Sequence, residues 1–446
     1  YTSIGEFAFQ GASSLTSITI PASVTSIEKY AFNISGLTSI TIPSAVTTIG
    51  IYAFSWTSSL TSVTFETGSQ LNSIEYGTFY LATSLESITI PDSVTSIGDQ
   101  AFYQATNLTE IIIPAGLTSI GPYAFAITNL STITFESGSQ LTSIGHQAFR
   151  DTKITSINIP AGVTSIEVST FNGATSLTSI EIPSSVTSIG EDAFYQATSL
   201  TSVTFETGSQ LASIGDRAFK STGLTSITIP TSVTSIGDYA FQNATGLTSI
   251  TIPASVTSIG ESVFANTSSL TTINVDENNT NYLVESDTLF NINKTILISY
   301  FGDILEYNIP ASVTSIGNGA FQDVTHLTSI IIPASVTSIG IEAFKNATGL
   351  TSIIIPASVT SIGNSAFYSA FSLTSVTFEA VSQLTSIGDQ AFYQATSLTE
   401  IIIPAGVTSI GEGAFSVTSS FTTITFETGS QLTSIGDYAF GDARSL

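Results

Sequence analysis

Residues 247–264 read LTSITIPASVTSIGESVF, and this stretch decides the fold. From Leu247 through Ile250 and Ile252, apolar side chains alternate with hydroxyls, the pattern of a short half-buried strand. Pro253 ends it, because proline has no N–H to give a continuing ladder. Val256 and Ile259 mark a second, shorter extended piece. Gly260 leads to Val263 and Phe264, and a loop rich in Gly, Asn, Ser and Thr comes next. Outward in both directions the same word returns. Ile and Phe five apart occur in 18 copies, from Ile4 and Phe9 to Ile435 and Phe440. Successive Phe anchors lie 22 to 25 residues apart, except for a gap of 57 between Phe264 and Phe321. Self-similarity at such a period is the mark of a solenoid. So small a unit cannot bury its own Ile and Phe, so stacking must cover them, with strands of successive units in a parallel ladder. The Phe column is thus read as a core spine. The Ala-Phe piece is read as turns or one turn of helix.

Some units exchange Ile-Pro-x-x-Val for Phe-Glu-Thr-Gly-Ser-Gln-Leu. They begin at Phe65, Phe205 and Phe426, with variants at Phe135 and Phe378. The exchange adds two residues, which are expected to bulge outward as a loop.

The length of 446 residues would suffice for two or three ordinary domains. Composition argues for one instead, a single solenoid over 1–446, because no segment changes character. Charged residues make up 9%, so the solvated surface must consist of hydroxyls and amides. A net charge of −25 repels nucleic acid and anionic lipid. The absence of Cys excludes disulfides, thiolate metal sites and thiol catalysis. A chain also free of Met tolerates an oxidising exterior. No apolar run approaches the ~18 residues that span a bilayer, so no membrane insertion is expected within this segment. Tyr1 opens inside one repeat and Leu446 stops inside another, the pattern of a slice open at both ends.

Catalysis needs a nucleophile and base within reach, a metal, or a cofactor cradle. His146 and His326 stand seven repeats apart and cannot cooperate. The glycines recur as a turn residue after Ile rather than as a phosphate loop. No enzymatic activity and no cofactor are expected. Glu191, Asp216, Asp238 and Glu261 fall at one position in four consecutive repeats. Stacking would align them as a carboxylate column, which is either a solvated edge or a weak calcium candidate. Eight Asn-x-Ser/Thr sequons, at Asn33, Asn107, Asn129, Asn243, Asn266, Asn278, Asn293 and Asn346, are candidates for N-glycosylation.

The unit closely resembles the BspA-type, or treponemal-type, leucine-rich repeat, whose pattern is Leu-x-x-Ile-x-Ile-Pro-x-x-Val-x-x-Ile-Gly-x-x-Ala-Phe-x-x-Cys. Leu247, Ile250, Ile252, Pro253, Val256, Ile259, Gly260, Val263 and Phe264 carry the match, which extends over essentially the whole chain. Residues 274–309 resemble the irregular unit of that family, with Asp287-Thr288 where a Gly-containing turn often stands. The family's Cys is replaced here, commonly by Ala, as at Ala105, Ala197 and Ala395. The resemblance implies a leucine-rich-repeat horseshoe or superhelix. A parallel sheet lines its concave face, with short strands, turns or helical turns on the convex side. It also implies a secreted or cell-surface protein that binds extracellular protein or glycan.

On that fold the outward strand positions form the expected binding face: Ser17, Thr19, Thr41, Thr64, Thr89, Thr204, Thr228, Thr251, Thr377 and Thr425. Three readings of the face compete. An adhesin would use repetition for avidity. A passive stalk or filament component would use its repeats to set length while tips outside this segment bind; self-association into a larger assembly is a further candidate partnership. An ice-binding ladder is disfavoured by sheet twist and by interruptions at Ile112, Glu181 and Ile331.

Overall fold

The Leu-x-x-Ile-x-Ile piece forms strands such as Ser39–Ile42, Ser62–Phe65 and Ser179–Ile182, in which inward Ile is buried and outward Ser or Thr exposed. The Val-x-x-Ile piece forms two-residue strands such as Ser26–Ile27 and Thr48–Ile49. Strands of successive repeats pair in parallel between equivalent residues: Ser39 with Ser62, Ile27 with Ile49. The protein, described over all 446 residues by a computed structural model, is a parallel-strand β-solenoid of about 19 turns without helices. It divides into two compact units, Tyr1–Ile236 and Gly237–Leu446, each a stack of this turn.

The Ala-Phe segment is not helical, for a backbone reason. In all 18 copies the residue before Ala (or its substitute) and the residue two after Phe have left-handed φ, as at Tyr30 (55°) and Ile34 (57°). A right-handed helix cannot run through such positions. Left-handed residues on both sides of Ala-Phe instead send alternate N–H groups along the stack. Tyr30, Phe32 and Ile34 donate to the carbonyls of Ile51, Ala53 and Ser55 in the next repeat, at 3.1, 2.8 and 3.0 Å. The intervening N–H groups of Ala31 and Asn33 close local turns onto Glu28 and Tyr30. No backbone donor in the segment is wasted.

The same segment places the Phe rings face to face. From Phe32 to Phe219 every ring stacks on the next, with centroids 5.2 to 5.6 Å apart. From Phe321 to Phe440 the spacing is 4.9 to 5.3 Å. Leu, Ile, Val and Ala from the rest of the turn surround this spine and are buried.

Two columns of Thr add a second tie between repeats. In one, Thr38 donates its hydroxyl to the carbonyl of Thr16, and Thr61 to that of Thr38. In the other, Thr47 donates to Thr25 and Thr118 to Thr95. These hydroxyls lie at the surface but are already committed to bonds between repeats.

The Phe-Glu repeats interrupt the strand column asymmetrically. Each pairs through four residues with the strand before it: Phe65 lies opposite Ile42, Phe135 opposite Ile113, Phe205 opposite Ile182. With the strand after it, each pairs through two residues or none; Ser202–Phe205 meets the next strand only at Ser226 and Ile227. Glu explains the strong side. Its N–H donates to the Ile carbonyl of the preceding repeat, Glu66 to Ile42 and Glu206 to Ile182, both at 3.0 Å. Its carboxylate also reaches back to a backbone N–H of that repeat's turn, at Ser44, Ala115, Ser184, Ala357 and Ala405. Proline explains the weak side: the residue that would donate to the carbonyl of Phe65 or Phe205 is Pro91 or Pro230. The strand column therefore forks after each Phe-Glu repeat, loses its pairing also between Ser87–Ile88 and Glu110–Ile113 and between Ser329–Ile331 and Ser352–Ile355, and is not one unbroken ladder.

The irregular unit carries antiparallel pairing. Tyr282–Glu285 pairs with Thr288–Asn291, and that strand with Ile296–Tyr300, which rejoins the parallel order beside Ser315–Ile316. Ser286 and Asp287, both left-handed, make the tight turn of the first hairpin.

Two stability measurements test this account. Phe102→Ala, between Phe79 and Phe125, is expected to destabilise by roughly 3–5 kcal/mol in denaturant titration, while exposed Thr64→Ala stays within about 0.5 kcal/mol. Equal costs would show the register to be wrong. Val381 is 93% exposed and left-handed (φ 59°), where other Phe-Glu repeats place Gly68, Gly138, Gly208 and Gly429. Val381→Gly is expected to stabilise by about 1 kcal/mol through relief of that strain; a loss of stability would contradict it.

Candidate binding surface

The strand face is where the outward side chains are shortest and most regular. Thr41, Thr64, Thr89, Thr204, Thr228, Thr251, Thr377 and Thr425 are all exposed, as are Ser17 and Thr19, which lie just outside any strand. Thr41 stands directly opposite Thr64, and Ser39, Ser62 and Ser87 share one register. Isoleucine takes the Thr position at Ile112, Ile331, Ile354 and Ile402, each 55 to 62% exposed. The face is thus a hydroxyl array with four apolar interruptions.

The carboxylate position has a backbone task in several repeats. Asp238 accepts the N–H of Glu261, Asn364 that of Asp389, and Asp389 that of Glu412. Glu191 and Asp192 hold Arg217, whose pKa is pushed up chiefly by its hydrogen bond to Asp192, against the opposing effect of burial. Asn318 donates to Glu261. Nowhere do three carboxylates or imidazoles gather as a metal site. Among the sequons, Asn33 is buried and gives its amide to Ser55, so the folded chain does not present it. Asn266 and Asn346 give their amides to Asn243 and Asp323. Asn278 is exposed and bonds to Asp276, and Asn107, Asn129 and Asn293 are exposed. His146 packs edge-on against Tyr123, and His326 lies half-buried in a loop.

One surface feature went unread in the sequence. In the first unit, aromatic residues flanking Ala-Phe meet across repeats: Phe7, Tyr30 and Tyr52 stack, Tyr76 and Tyr80 turn edge-on to Tyr52, and Trp56 leans on Tyr80. Partial burial, then hydrogen bonding to Tyr76, pushes the Tyr52 phenol well above its usual range. The signal was available as Tyr or Trp recurring next to the Ala-Phe word.

The repeat matches the family model described as BspA type leucine-rich repeat region (6 copies), over residues 1–80, 66–178, 164–296 and 314–446. The chain belongs to this family. Among solved structures, the BspA-type array is similar to a leucine-rich repeat protein from Bacteroides ovatus (26% identity, 96% of this chain and 87% of that one, TM-score 0.47). It is also similar to the pneumococcal vaccine antigen PcpA (22%, 86% and 78%, TM-score 0.46). A third likeness is to a leucine-rich cell surface protein from Faecalibacterium prausnitzii (23%, 92% and 87%, TM-score 0.39). No curated protein matches the chain. The Cys position of the BspA-type repeat is a buried slot here: Ala105, Ala197 and Ala395 fill it, or Thr57, Thr128 and Thr152, each hydroxyl donating to the carbonyl of the Phe three residues back.

Asp323 supplies a pH test of the array. Its carboxyl pKa is raised, mainly by burial and against the lowering effect of Asn346, and its Oδ2 is buried without a partner. A folded pKa above the ordinary carboxylate value means that the folded chain holds this proton more tightly. The group therefore costs stability at neutral pH, and the cost disappears as pH falls through the folded value. Asp323→Asn is expected to be more stable than the parent at neutral pH, and the gap to close below about pH 4. A gap independent of pH in parallel denaturation series would refute this.

Proposed function

We propose that this chain is a non-enzymatic binding array of a secreted or cell-surface protein, engaging extracellular protein or glycan by many weak contacts. The register of exposed hydroxyls on the strand face carries this reading: equivalent Ser and Thr side chains recur at most steps, and no position is built as a single anchor. The BspA-type membership and the surface protein among the similar structures support the location. One Ser or Thr hydrogen bond contributes only about 0.5–1.5 kcal/mol net. Affinity must come from several repeats engaging together.

Binding of the chain to an immobilised extracellular-matrix coat tests it by surface plasmon resonance. Thr228→Ala alone should weaken binding at most about tenfold. Replacing Thr41, Thr64, Thr89, Thr204 and Thr228 together should lower it at least a hundredfold. Complete loss from one substitution would replace avidity with a hot spot. No binding by the parent would remove the reading.

A further inference from the structure

The forks after the Phe-Glu repeats leave two clefts of the same construction in the first unit. One, of about 470 Å³, is lined by Val203, Phe205, Glu206, Thr228 and Pro230. The other, of about 550 Å³, is lined by the equivalent Val63, Phe65, Glu66, Thr89 and Pro91. Both volumes fall in the range of roughly 300–1,000 Å³ typical of small-molecule sites. Their duplication follows from the repeat: wherever Phe-Glu is followed by Ile-Pro, the strands part at the same place.

The walls have a definite chemistry. Phe65 and Phe205 occupy the register of Ile42 and Ile182, which are fully buried, yet both rings are only half-buried. Beside each ring lies a backbone carbonyl that no N–H of the next repeat can meet, since Pro91 or Pro230 stands there. Glu206 keeps one oxygen on the Ser184 N–H at 2.9 Å and has a second to offer. Hydroxyls of Ser202, Thr204, Ser226 and Thr228 complete the rim. The cleft is thus rich in acceptors around an apolar ring, and neither lining contains Lys or Arg. An anionic ligand would find no countercharge, and the carboxylate common to both clefts, Glu66 or Glu206, already accepts a backbone N–H. A strand added in extension would find only two unpaired residues per fork, Thr204 and Phe205 in this case. A neutral sugar fits better, with donor hydroxyls for the carbonyl and carboxylate and a C–H face for the Phe ring.

We propose that each fork is a subsite for one neutral pyranose residue, so that the array reads a glycan at intervals set by its Phe-Glu repeats. This rests on the binding-array reading and narrows its ligand. The strands ending at Phe135 and Phe378 likewise make no ladder pairing with the next repeat, and the assignment is extended to them, four in all.

Saturation-transfer NMR on the full chain tests it with three probes, the methyl pyranosides of glucose, mannose and galactose. Transfer to ring C–H protons of at least one is expected. Phe65→Ile with Phe205→Ile should reduce it at least twofold, and adding Phe135→Ile and Phe378→Ile should abolish it. Isoleucine is the residue regular repeats carry at this register, and an unchanged circular-dichroism melting point confirms that each variant folds. No transfer to any probe from the folded parent, or undiminished transfer in the four-site variant, overturns the assignment. Matrix binding is measured on the same samples. If it persists in either of those cases, the forks fail alone and the strand-face reading stands; if it is absent from the parent, that reading fails as well.

Discussion

The stack depends on backbone N–H groups that leave the Ala-Phe segment along its axis. They point that way only because a left-handed residue stands on each side of Ala-Phe in every turn. A non-glycine residue adopts that conformation at a cost of roughly 1–2 kcal/mol, and isolated turns would not keep it. Stacking offsets the cost at once: three inter-repeat hydrogen bonds form on that side, and the Phe between the two strained positions is delivered face to face with its neighbour. Strain, hydrogen bonding and the aromatic spine are thus one cooperative interface repeated at every step. This is why solenoid stability resides between units rather than within them.

The hydroxyl-rich composition divides into two populations on this frame. Thr38, Thr47 and their equivalents spend their hydroxyls on carbonyls of the preceding repeat. Thr41, Thr64 and their equivalents stay exposed on the strand face. A chain with so few charges still has a polar exterior, and much of that polarity is already committed to bonds between repeats. What is left for a partner is a regular lattice of single weak groups, which favours breadth of contact over depth.

Much of this was legible beforehand. Spacing gave the strand of residues 249–252, the Phe spine and the irregular unit, and Pro253 gave the strand end. The left-handed positions were hidden, because they carry Tyr30, Gln104, Trp56 and Arg217 as readily as glycine; only the stack imposes their φ. The forks were half visible. The two extra residues of the Phe-Glu repeats were expected to make a loop, but not to part the strands, because the effect needs the following proline. The carboxylate position read as surface charge, whereas at Asp238 and Asp389 it accepts an N–H that sequence alone does not place. The aromatic group around Tyr52 was overlooked, since its members belong to different repeats and meet only on stacking.

The Glu that reaches backward from each Phe-Glu repeat gives the array an order of assembly. Such a repeat is complete only behind an Ile-Pro repeat whose turn donates an N–H to that carboxylate, as Ser44 and Ser184 do. An Ile-Pro repeat makes no such demand on the turn before it, whereas every Phe-Glu repeat here follows an Ile-Pro repeat. Residues 96–116 and 386–406, which differ only at Asn107 and Ser397, show how closely Ile-Pro repeats far apart in the chain copy one another. The smallest stretch that carries a complete fork is therefore three repeats, the Phe-Glu repeat with one Ile-Pro repeat on each side.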